Sequence, residues 1–321
     1  MKLPDLMKTF LIAAFLISGI CLFSQSAADY DARLNPIQSY QRSNPSYLYQ
    51  KPASQSQTVE VARSDMGIQR PIEAKKTGFG YHLGFSTRLY YSNNPGSADS
   101  PSTDNQGRPL VDAGAVWDNS LNNTFLLGSY DLGGSSFTPI IGLSYLKNSN
   151  FGSDVHDSFD FDMLNLNFAG IFQIGRTWTI RPNLRYNQFF GDSGFGLFAP
   201  SLALGKSFKI FSARSFVDWS LGFSMQDNDT LNKFQSAWTW GINIPVGNLE
   251  ISPYLRFAYL NYYNDDRTDF KTDLGLNFDY SLTNWMQIST FISYANNSSD
   301  KNEKDFSRFD LGAGTAFTAK F

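Results

Sequence analysis

The sequence predicts an all-β protein: a twelve-stranded antiparallel transmembrane β-barrel preceded by a disordered or plug-like N-terminal segment. Three observations predict it. From Phe79 onward, segments of alternating apolar and polar residues recur about every 20 residues, a spacing that suits spanning strands with their connections. The connections sort alternately into tight turns and longer loops. After residue 23, no apolar run reaches the ~18 residues that would argue for a helical span.

The twelve alternating segments are 79–91, 124–132, 137–146, 159–174, 178–190, 195–210, 216–226, 234–246, 249–262, 270–282, 286–294 and 309–321. Each is near the ~9–11 residues that a tilted spanning strand requires. One set of connections is short: 133–136, 175–177, 211–215, 247–248 and 283–285. Most of these carry Gly, Asn or Ser, which tight turns favour. The other set is 92–123, 147–158, 191–194, 227–233, 263–269 and 295–308, of which only 191–194 is short. Long outer loops alternating with tight periplasmic turns are the pattern of bacterial barrels, and an even strand count returns both ends to one side.

The last segment alternates with particular regularity. Phe309, Leu311, Ala313, Thr315, Phe317, Ala319 and Phe321 form one face, and Asp310, Gly312, Gly314, Ala316, Thr318 and Lys320 the other. This is a strand with one mostly apolar face. It resembles the closing strand of bacterial outer-membrane β-barrels, which ends in Phe with apolar residues at alternate positions before it. The resemblance covers that strand and points to the porin-like superfamily without a specific family. It implies the outer membrane of a Gram-negative bacterium, Phe321 as an assembly signal read by the barrel assembly machinery, and contact with outer-membrane lipid and lipopolysaccharide.

Composition agrees with a barrel. Only 17% of residues are charged while 16% are aromatic, and mean hydropathy is −0.29. Outward apolar and inward polar residues cancel in any averaging window, so a barrel hides from hydropathy. Lys2 and Lys8 precede an apolar run over 10–23 and a small-residue stretch ending at Ala28, which predicts a signal peptide over residues 1–28. Cys21 is the sole cysteine and falls within it, so no disulfide is expected. Residues 29–76, rich in Ser, Gln, Pro and Tyr, read as a flexible periplasmic or lumen-inserted segment. The barrel then occupies 77–321.

Outward faces are apolar, as in Trp178, Ile180, Leu184 and Tyr186 or Phe234, Trp238, Trp240 and Ile242. Segment 159–174 changes phase: Phe159, Phe161 and Met163 are odd, Leu164, Leu166, Phe168 and Phe172 even. A β-bulge near Met163–Leu164 would reconcile the halves. Inward positions supply the candidate pore lining: Arg88, Arg181, Arg185, Asp218, Arg256, Asp273, Asp279, Arg308 and Asp310. Inward Gly and Ser suggest some open space.

Two readings of these charges compete. An arginine track would select anions and would resemble the narrow, Arg-lined, twelve-stranded porins for acidic sugars. Alternatively the charges form a structural network, with Arg256 beside Asp273 and Arg88 beside Asp310. A third reading, a conduit for hydrophobic solutes, comes from inward Phe195, Leu197, Phe216, Tyr254 and Phe291. Catalysis is not expected. His156-Asp157-Ser158 shares the His–Ser spacing of the outer-membrane phospholipase family but sits in a loop without an orienting third group. The acidic loops match no calcium-loop spacing, and no phosphate-cradling Gly loop or basic patch points to nucleotide or nucleic acid. The expectation is therefore a passive channel for small hydrophilic, possibly anionic, solutes, with no cofactor or metal.

Overall fold

The computed structural model describes residues 79–95, 113–132, 135–152, 160–175, 177–190, 194–211, 213–226 and 232–321. The expected signal peptide, the 29–76 segment and His156-Asp157-Ser158 lie outside the described residues. Twelve long strands follow in order: β1 Phe79–Ser92, β2 Gly114–Leu127, β3 Ser135–Phe151, β4 Phe161–Ile174, β5 Trp178–Phe190 and β6 Gly196–Ile210, then β7 Ala213–Gln226, β8 Lys233–Val246, β9 Leu249–Tyr262, β10 Arg267–Ser281, β11 Met286–Ser299 and β12 Phe306–Lys320. A two-residue bridge, Tyr130–Asp131, pairs beside the start of β3. Every strand pairs antiparallel with its chain neighbours, and β1 pairs with β12 as well as β2, so the sheet closes.

The seam is specific in register: His82 faces Lys320, Phe85 faces Phe317 and Leu89 faces Ala313. Phe321 lies just past β12 and continues the pairing. Its carbonyl accepts from the Tyr81 N–H at 3.1 Å, and its own N–H donates to the Tyr81 carbonyl at 2.9 Å. The Phe321 and Tyr81 rings stack with centroids 5.7 Å apart.

Alternation assigns the faces. Leu89, Trp117, Phe168, Leu184, Leu202, Trp238, Phe257, Leu274 and Leu311 are exposed around the outer wall. Aromatics mark both ends of this belt, with Phe79, Trp178, Tyr280, Trp285 and Phe321 at the end that carries the termini and Tyr91, Phe151, Phe190 and Phe270 opposite. Such an apolar band with aromatic girdles is the outer surface of a membrane barrel.

Four sequence expectations change. Strand β2 starts at Gly114, not at 124, because its outward face carries Asn119 and Asn123 and its inward face Val116 and Leu126, which blurs the period. No bulge occurs at Met163–Leu164: the β3–β4 register runs unbroken from Ser135–Ile174 to Asn148–Phe161. Odd residues point inward throughout β4, so Phe161 and Met163 are interior. Third, several strands run past their expected outer ends, so the connection after β9 shrinks to 263–266 and that after β11 to 300–305. Polar ribbon above the bilayer lacks the alternation that marks the spanning part. Fourth, the expected open space is present in only part of the lumen: Gly142, Gly222 and Ser220 line a cavity, whereas Gly241 and Gly275 receive rings.

At the opposite end, the β8–β9 turn is Gly247-Asn248, with Gly247 at φ 63, a conformation two-residue hairpins need and glycine adopts without steric cost. Prolines interrupt the ladders. The β4–β5 rungs stop between Ala169–Asn183 and Phe172–Ile180, at Pro182. Those of β6–β7 stop between Phe198–Met225 and Ser201–Gly222, at Pro200. Proline has no N–H to give a ladder.

Because Phe321 extends the seam by a rung and a ring stack, deleting it should lower the yield of folded barrel before it alters any transport. Heat-modifiable migration of the membrane-extracted protein measures this, and wild-type levels of folded barrel would count against it.

Candidate functional site

The candidate site is the barrel interior, built from the inward-facing residues of all twelve strands. The sequence-derived charges all lie on inward registers, but they assemble into separate groups rather than one track. Arg88 of β1 pairs with Asp118 of β2 at 2.8 Å. Asp118 also accepts from Asn148 at 2.6 Å, and Asn148 from Asn150 at 2.7 Å. Arg181 of β5 reaches across β6 to Asp218 of β7 at 2.5 Å, over Gly205, where a side chain would collide with the Asp218 carboxylate. Arg256 of β9 pairs with Asp273 of β10 at 3.0 Å, and Lys271 approaches the other Asp273 oxygen at 3.3 Å. Arg308 pairs with Asp310 along β12 at 2.9 Å. Asp279 accepts from the Ser289 hydroxyl at 2.6 Å.

The expected Arg256–Asp273 pair therefore forms, whereas Arg88 and Asp310 do not meet. The seam does join their strands, but it sets Arg88 opposite Gly314. Arg88 turns instead to Asp118, which falls within the expected 92–123 connection but lies on β2. Register explains the densest group. Arg256 faces Asp273, Asp273 faces Ala295, and Ala295 faces Arg308. The small Ala295 leaves room between the two charged sets. Asp273 is 1% exposed and Arg256 3%, so these charges are held out of water and depend on each other.

Aromatic rings fill much of the remaining lumen by lying over glycines of adjacent strands. The Tyr254 ring comes within 2.6 Å of where a Gly275 side chain would begin and the Phe216 ring covers Gly241, while at Gly312 the backbone and Cβ of Tyr90 take up the space. Tyr90 also meets Phe291 edge-on at 5.6 Å. Toward the outer end, Leu146, Met163, Phe189 and Leu197 form a buried cluster with Phe161 and Phe195 against it. Phe161 and Met163 were missed as interior, although they share the parity of Asn165 and Asn167, which was the available signal.

A cavity of about 250 Å³ is lined by Asn167, Arg181, Arg185, Asp218, Thr239 and Arg256 among others. Arg185, 5% exposed, is on β5 opposite Ala199 of β6. At the outer rim, Lys301 bonds Asp265 at 2.8 Å and Arg267 meets Asp265 at 3.5 Å and Asp269 at 3.3 Å. The Arg267 guanidinium also sits 3.6 Å from the Tyr262 ring centre. The Lys301 hydrogen bond holds the Asp265 carboxyl below the usual range. These acids tie the 263–266 and 300–305 connections together.

No family model matches the sequence, and no characterised protein matches it in sequence. In structure it is similar to an outer-membrane channel from Pseudomonas putida, at 10% identity and TM-score 0.48 over 78% of this chain and 100% of that one. It is similar also to the translocator domain of the autotransporter NalP from Neisseria meningitidis, at 10% identity and TM-score 0.44 over 75% and 89%. A third is an anion-selective porin from Comamonas acidovorans, at 11% identity and TM-score 0.38 over 75% and 99%. The chain's own closure, apolar belt and girdles make it an outer-membrane β-barrel.

Removing one partner of a buried ion pair leaves an uncompensated charge. Asp273→Asn should therefore destabilise the barrel by about 3 kcal/mol, and Asp279→Asn, which strands no cation, by less. Urea midpoints of vesicle-embedded protein measure both; equal midpoints would refute the network.

Proposed function

We propose that the protein is a channel-type outer-membrane barrel through which small hydrophilic solutes diffuse passively along a narrow lumen. The observation that supports this best is the cavity among Asn167, Arg181, Arg185, Asp218, Thr239 and Arg256, a space within the barrel wall to which these charged and polar side chains contribute. Anion preference should be weak. Arg88, Arg181, Arg256 and Arg308 each sit against a carboxylate, which offsets the field an arginine track would need. In this reading the apolar belt meets outer-membrane lipid and lipopolysaccharide, and Phe321 meets the barrel assembly machinery.

A second reading, a closed barrel with a structural or surface-interaction role, draws support from the Phe216 and Tyr254 rings over Gly241 and Gly275, which fill part of the lumen. Planar-bilayer recording of the purified protein separates the two. The channel reading expects small, discrete current steps; their absence, with or without residues 29–76, would overturn it in favour of the closed barrel. Where steps occur, Arg185→Ala combined with Arg256→Ala removes two cations from the cavity and leaves Asp218 and Asp273. The reversal potential in a salt gradient should then move toward cation preference, and an unchanged value would exclude these arginines from the path.

A further inference from the structure

One stretch of the lipid-facing wall is polar. The outward faces of β5 and β9 run Ile180, Pro182, Leu184 and Ile251, Pro253, Leu255, Phe257, with no polar side chain between. Across the seam the pattern differs. Thr315 of β12 faces Thr87 of β1, Thr87 faces Asn119 of β2, and Asn119 faces Lys147 of β3. These four successive partners lie on the same outward face as the exposed Leu89, Trp117, Leu143 and Leu311. Asn123, four residues along β2, is outward too and accepts from the Tyr81 hydroxyl at 2.7 Å. Thr87 accepts from the Trp117 indole N–H at 2.8 Å. The Asn119 side-chain amide has no hydrogen-bond partner among the described residues.

Depth makes this row costly. Tyr91 belongs to the outer girdle, and Thr87 lies four residues below it on β1, ~13 Å along the strand and roughly 9 Å deeper at a ~45° tilt. Asn119 beside it, and Asn123 deeper on β2, therefore face the hydrocarbon. Acyl chains offer neither donor nor acceptor there, and an amide without a partner is expensive. Lys147 can extend its ammonium to the outer interface, but an asparagine side chain is too short to do so. A second copy of this wall carries the matching chemistry. An amide is both donor and acceptor, so Asn119 can pair with its own counterpart across a two-fold axis. An axis along the membrane normal brings together residues of equal depth, as that pairing requires. Ala313 and Ala319 of β12, opposite Leu89 and Leu83, are small, which lets two walls approach as small residues do between membrane segments. We propose that the β12–β1–β2–β3 wall is the contact face of a two-fold dimer of this chain. Asn119 lies near the axis, with Thr87, Asn123 and Thr315 around it. The face is on the outer wall, so it stands or falls separately from any path through the lumen.

Two measurements on the full chain test it. Sedimentation equilibrium in density-matched micelles, over a range of protein-to-detergent ratios, should show a monomer–dimer equilibrium. Asn119→Leu breaks no hydrogen bond within the barrel, so heat-modifiable migration should show it folded. It should raise the dimer dissociation constant about ten-fold, within what one polar contact between membrane segments contributes. Should that variant not fold, Asn119→Ala serves for the same readout, and Leu184→Ala on another part of the belt should leave the constant unchanged. In outer membranes, irradiation of Leu121→p-benzoylphenylalanine protein should join two chains, and irradiation of the Leu255→p-benzoylphenylalanine variant should not. Protein that stays monomeric at every ratio would overturn the dimer. So would a constant that Asn119→Leu leaves unchanged, or equal cross-linking from positions 121 and 255. Adducts of position 121 with lipopolysaccharide in place of a second chain would assign the wall to lipid and overturn it as well.

Discussion

Everything in this molecule depends on the closing of one sheet. In hydrocarbon a backbone N–H or C=O without a partner costs several kcal/mol, so a spanning sheet must have no edge. The β1–β12 seam meets that requirement. Its register sets which residues point inward on every strand, because each antiparallel pair inherits its phase from the last. A slip of one residue would turn Arg88, Arg308 and Asp310 into the bilayer and leave Phe85, Leu89 and Leu311 in the lumen. The Phe321–Tyr81 rung and ring stack fix the lower end of that register.

Closure then dictates the interior chemistry. An alternating strand with an apolar outer face leaves its polar residues inside, where few are wet. The charges answer by pairing: Arg88 with Asp118, Arg181 with Asp218, and Asp273 between Arg256 and Lys271. The rings answer by lying on glycines, so Gly241 and Gly275 matter for what they admit from the next strand. The exception is the cavity that residues of β2 to β9 line.

Much of the fold was legible because transmembrane strands write a period-two pattern. Strands β5 and β9 begin and end where the alternation does. Strand β2 escaped because Asn119 and Asn123 sit on its lipid side and Val116 and Leu126 on its lumen side. The false bulge came from assuming that apolar means outward, whereas Phe161 and Met163 join an interior cluster. Of the site, inward parity was readable for Arg181, Arg185, Arg256 and Asp273, and so was the Arg256–Asp273 neighbourhood. The Arg181–Asp218 pair spans an intervening strand, and it forms because Gly205 leaves the space between them, a relation invisible along one chain.

The central claim is that the barrel closes through β1 and β12 in this register. Thr87 and Thr315 are direct partners across the seam, and Cys21, the sole native cysteine, falls in the expected signal peptide. Cysteines placed at 87 and 315 and oxidised in outer membranes measure the claim directly. The account predicts an intramolecular disulfide in most folded chains, and none when the second cysteine is moved to replace Ala319. Failure of the 87–315 pair to cross-link within one chain, or cross-linking only between chains, would contradict it.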